Sequence, residues 1–115
     1  MTGTKMFEAL AALLRPYAAK FSVKSDTDTN LYLEESQTTG IPQMFAAVMT
    51  KRSYVSFHLF PVYSQPELLE DISPALRRRM QGKSCFNFNR LDQLPSEELA
   101  GLVRRAYESV VQRAP

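Results

Sequence analysis

The chain has no tryptophan, one cysteine, one histidine and only four glycines among its 115 residues. A lone Cys85 cannot close an intrachain disulfide, which points to a reducing compartment. One histidine and one cysteine cannot complete a tetrahedral zinc site without carboxylates or water. Glycines at 3, 40, 82 and 101 are too scattered to build a phosphate-cradling loop. No serine lies in the strained-turn motif of a hydrolase nucleophile, and no local cysteine-hydrolase signature surrounds Cys85. A conventional enzyme is therefore not expected.

Long apolar runs are also lacking. None approaches the roughly 20 residues needed to cross a bilayer. The opening MTGTKMFEALAALLRPY carries Glu8 within its apolar stretch, and Arg15-Pro16 interrupts it. It lacks the basic start, long apolar centre and small-residue cleavage site of a signal peptide, so a cytoplasmic location is expected. Charge of one sign is missing too: 14 basic residues face 12 acidic ones, for a net +2. Nucleic acid and membrane are not expected partners on that balance. The densest basic run, Arg77-Arg78-Arg79, reads first as a solvated helix face and second as a contact for phosphate or an acidic partner.

What is present is an ordinary globular composition, 44% hydrophobic and 23% charged, with seven Phe and five Tyr for a core. The length suits a single domain over residues 1–115, burying about two-thirds of its unfolded surface.

The chain is organised around residues 44–60, MFAAVMTKRSYVSFHLF, two apolar arms about the polar turn Thr50-Lys51-Arg52-Ser53. That pattern predicts an antiparallel hairpin. In its second arm Val55, Phe57 and Leu59 alternate with Tyr54, Ser56 and His58, so one face is apolar and the other polar and aromatic. Short strands are expected at 20–25 and 31–35, with Phe21 and Val23, then Leu31 and Leu33, on their apolar sides. Residues 37–42 read as a loop, and 84–89 (SCFNFN) as a fifth strand with Phe86 and Phe88 inward.

Met6, Leu10, Leu13 and Tyr17 give an apolar helical stripe over 4–19, with Pro16 either ending that helix near Leu14 or kinking it. Residues 66–72 form a short helix in this reading. A second starts at Ser73-Pro74 and runs to 80 or 81, where Gly82 stops it. From Pro95/Ser96 onward, Leu99, Leu102, Val103, Ala106, Tyr107, Val110 and Val111 keep helical spacing. Glu97-Glu98 suit that helix's N-terminus through its dipole. The sum is an α+β fold: one antiparallel sheet of about five strands, N- and C-terminal helices on one face, and two short helices in the last crossover.

FAAVMTKRSYVSFHLFPV, followed by ISPALRRRMQGKSCFNFN and a closing helix, resembles the YdhG-like family of small bacterial domains. The resemblance runs from about Met44 to the end and implies a compact antiparallel sheet with flanking helices. It also implies, for some members, frataxin-like iron carriage, which uses clustered exposed carboxylates. The acids here are dispersed over Glu8, Asp26/Asp28, Glu34/Glu35 and Glu67/Glu70/Asp71, and no iron-binding residue is assigned.

Tyr32, Tyr54, Ser56, His58, Asn87 and Asn89 are expected on the polar sheet face, with Cys85 beside His58. Lys51, Arg52 and Lys83, near strand ends, offer cations for an anionic group. Tyr54, Ser56, His58, Cys85, Asn87 and Lys83 are thus the candidate ligand contacts, with no catalytic residue, metal or cofactor assigned. Three uses of the face stay open: a pocket for a small polar or anionic ligand, a homodimer interface, or plain exposure. For Cys85 the readings are a packed inert thiol, a ligand contact or a nucleophile. For His58 they are a hydrogen-bonded structural residue or a polar contact able to change charge near neutral pH. The functional expectation is a non-enzymatic binding or accessory domain, with an iron carrier as the alternative.

Overall fold

The computed structural model describes residues 2–113. Helix α1 (Thr2–Leu14) buries Met6, Phe7, Leu10, Ala11 and Leu14 on one stripe. Pro16 ends it, since a proline there lacks the N–H and its ring crowds the carbonyl four residues back. The chain tightens instead into a 3₁₀ helix, Arg15–Lys20. Of the two expected outcomes for Pro16, termination is the one realised.

Strands β1 (Ser22–Asp26), β2 (Asn30–Glu34), β3 (Met44–Thr50), β4 (Val55–Leu59) and β5 (Cys85–Phe88) form one antiparallel sheet in chain order. Leu31, Leu33, Ala46, Val48, Val55, Phe57, Leu59, Phe86 and Phe88 share a buried cluster with α1 and the last helix, α5 (Ser96–Arg113). From α5 come Leu99, Leu102, Val103, Ala106 and Val110, all without exposed surface. Both long helices therefore lie on the same side of the sheet. The α+β layout expected from periodicity is the one found.

Two bulges adjust it. In β3 the register slips so that Leu33 faces Ala46 while Glu34 faces Met44. The extra residue, Phe45, turns inward and stacks on Phe21 at 4.2 Å between ring centres. In β1 the slip falls between Val23 and Ser25. Val23, expected inward, is 46% exposed, because a bulged edge strand no longer presents a regular apolar side. That irregularity and Lys24 beside it make β1 a poor template for further strand addition.

The connections depart most from expectation. Residues 37–39, expected within a loop, belong to a one-turn helix α2 (Ser36–Thr39) that Gly40 ends at φ 80°. The crossover after β4 holds α3 (Pro61–Ser64), a 3₁₀ turn (Pro66–Leu69) and α4 (Pro74–Arg77). Ser73 caps α4 as its sequence suggests, accepting from the Leu76 N–H at 3.2 Å. Yet α4 does not run to 80 or 81. The chain straightens, and residues 79–81 line the outer edge of β5, where Gln81 N donates to Cys85 O and Asn87 N to Arg79 O. Gly82 (φ 84°) serves this reverse turn and is not a helix stop. Glu98 also does more than favour a helix start: its carboxylate accepts from both the N–H and the hydroxyl of Ser73, at 2.6 Å each, and ties α5 to α4. Val111, expected on the apolar stripe of α5, is 43% exposed.

Candidate functional site

Pairing register builds the site. Across β2, β3, β4 and β5, Tyr32 faces Ala47, Ala47 faces His58, and His58 faces Cys85. One pleat along, Asn30 faces Met49, Met49 faces Ser56, and Ser56 faces Asn87. These two rows stand on the side of the sheet away from α1 and α5, since their neighbours along each strand point into the core. Imidazole and thiol are direct cross-strand neighbours, as expected.

The hydrogen-bond pattern around Ser56 assigns a tautomer to His58. With the Ser56 Oγ proton placed on the Met49 carbonyl, 3.3 Å away, the lone pairs of Ser56 Oγ face His58. His58 Nε2, 3.0 Å from Ser56 Oγ, is then the donor. Its Nδ1 carries a lone pair and makes no hydrogen bond among the described residues. Cys85 Sγ donates to Asn87 Oδ1 at 3.4 Å, which leaves the Asn87 amide N–H groups for other use. Ser56 is buried, while Tyr32, His58, Cys85 and Asn87 are half-buried.

Burial, with the Lys51 ammonium nearby, pushes the His58 pKa below its ordinary value. The imidazole is accordingly neutral at neutral pH, with Nδ1 an acceptor. The sign follows for stability: an unfolded chain takes up this proton near the ordinary ~6.5, and the folded one resists it until lower pH. The fold thus loses stability as pH falls below that ordinary value, and the loss levels off beneath the folded-state pKa. Thermal melts from neutral to about pH 5 should fall more steeply for the wild type than for His58→Gln. Equal slopes would remove this role.

Burial pushes the Cys85 thiol up, and the Lys51 charge draws it only partly back. A protonated, half-covered thiol is a weak nucleophile. Ellman's reagent at mildly alkaline pH should therefore label Cys85 in the folded protein more slowly than free cysteine; labelling at the free rate would contradict this.

The remaining candidates separate. Tyr54 and Asn89 line a cavity of about 350 Å³ beside the hairpin turn, together with Met6, Lys51, Arg52 and Arg90. Lys83, expected with Lys51 and Arg52, is at the opposite end of the sheet. It lies 5.8 Å over the Tyr63 ring, at a groove of about 570 Å³ also lined by Val62, Leu69 and Met80. The reason is direction: β5 begins beside the far end of β4, so residues preceding Cys85 cannot reach the turn. No family model, curated protein or solved structure matches the chain. Its function is therefore argued from this geometry.

Asn30, Met49 and Arg90 escaped the sequence reading. For Arg90 the signal was available, because antiparallel pairing of the fifth strand brings its C-terminal end to the start of β4. Asn30 and Met49 required the register itself. No helix of the described residues is long and apolar enough to cross a membrane.

Proposed function

We propose that this is a non-enzymatic binding or accessory domain whose contact surface is the uncovered sheet face. The observation that carries the reading is the pair of registered rows, which set His58, the Asn87 amide and Tyr32 on one face, with His58 Nδ1 making no hydrogen bond among the described residues. Such a face suits a neutral or weakly polar partner through hydrogen bonds, with a small polar ligand preferred over a second copy of the chain. The raised thiol and lowered imidazole argue against an acid–base or covalent step there.

The iron-carrier alternative has less behind it. Among the described residues no three His, Cys, Asp or Glu side chains gather to hold a metal. Membership of a YdhG-like family and a cytoplasmic location belong to the same proposal, the first on residues 44–115 and the second on the lone cysteine.

A fragment screen of small polar compounds followed by amide NMR tests the reading. Binders should shift residues of the two rows and lose affinity in His58→Ala. They should also bind more weakly as pH falls through the His58 pKa, when Nδ1 changes from acceptor to donor. Binders that shift only other surfaces, or that hold His58→Ala equally well, would overturn it. Sedimentation of the free protein above monomer mass would favour the second copy.

A further inference from the structure

We propose that the cavity at the hairpin end of the sheet binds a small organic phosphate, its phosphoryl group held by Arg52 and Arg90 and its apolar body resting on the exposed ring of Tyr54. The cavity arises where the hairpin turn, closed by Lys51 N donating to Tyr54 O, meets the end of β5 and the side of α1. Its volume, about 350 Å³, is that of a small-ligand site. Met6, Val55 and Phe88 close the bottom of the opening but are at most 1% exposed, so the apolar surface a ligand reaches is the Tyr54 ring, 38% exposed. The rim brings three cations and no acid among its lining residues.

Those cations are poorly compensated. Among the described residues Arg52 makes no hydrogen bond or ion pair. The Lys51 ammonium meets only the Met49 sulfur, at 3.9 Å. Arg90 uses Nε on Asp92 at 3.1 Å, which leaves its terminal nitrogens uncommitted. Gathering like charges at one opening costs repulsion that a dianion relieves, and two guanidinium forks match phosphate oxygens in pairs. The side chains of Ser53 and Asn89 add neutral polar groups to the rim.

Lys51 borders both the cavity and the open face, where its ammonium meets Met49, so the test rests on Arg52 and Arg90, which belong to neither row. Phenyl phosphate, inorganic phosphate and phenol serve as probes in an amide NMR titration of the full chain. Phenyl phosphate should shift residues 51–55 and 88–90. Arg52→Gln and Arg90→Gln should each weaken it about tenfold, both being exposed positions where the fold tolerates change. Inorganic phosphate should bind more weakly, phenol not at all, and added salt should weaken every anion. Absence of shifts at the cavity, or unchanged affinity in both variants, would overturn the site. Equal affinity for inorganic phosphate would overturn the role of the Tyr54 ring.

Discussion

Removing residues 95–115 should leave a chain that does not fold. Leu99, Leu102, Val103 and Val110 of α5 are wholly buried, and each contributes about 1.5–3 kcal/mol by leaving water. Even the lower figure, summed over these four side chains, is about 6 kcal/mol, above the low end of a typical ~5–15 kcal/mol of net stability. The deletion also uncovers their partners and removes Glu98, the acceptor for both Ser73 donors. Circular dichroism should show no cooperative melt. A fragment melting cooperatively near the full-length temperature would contradict the placement of α5 on the sheet.

Glu35→Ala should be nearly as damaging for a single substitution. Glu35 is fully buried, and its Oε1 accepts from Thr39 Oγ1 at 3.0 Å and from Gln43 Nε2 at 2.9 Å. Its backbone N–H donates to Gln43 O, and its carbonyl accepts from the N–H groups of Thr38 and Thr39. One residue thus fastens α2 to the entry of β3. Stranding buried donors costs about 1–3 kcal/mol each, so a loss of about 2–6 kcal/mol is expected for the two. Glu67→Ala, at an exposed position, should stay within about 0.5 kcal/mol. Denaturant midpoints measure both, and similar shifts for the two would refute the tie.

How much of this was legible depends on the kind of signal. The hairpin, the inward Phe57 and Phe86 and the stripe of α5 follow from alternation and helical spacing, which act over a few residues. The pairing of His58 with Cys85 needed only the assumption that the fifth strand lies beside the hairpin. The bulge that turns Phe45 inward is set by its stacking on Phe21, more than twenty positions away in sequence. Residues 79–81 had helical composition, but the unpaired edge of β5 recruits their backbone instead. Glu35 read as one of two adjacent strand-end acids, and nothing local distinguishes it from Glu34, whose side chain keeps 15% of its surface exposed. The cavity of Lys51, Arg52 and Arg90 joins segments brought together by strand pairing, so no single motif could announce it.

A soluble gadolinium chelate, added while side-chain NMR signals are followed, reads directly which face of the sheet meets solvent. The Met49 methyl and the rings of Tyr32 and His58 should broaden, while Leu33, Phe57 and Leu102 stay sharp. If the Met49 methyl proved as sheltered as those of Leu59, the face assigned to binding would be covered, and the account built on it would fail.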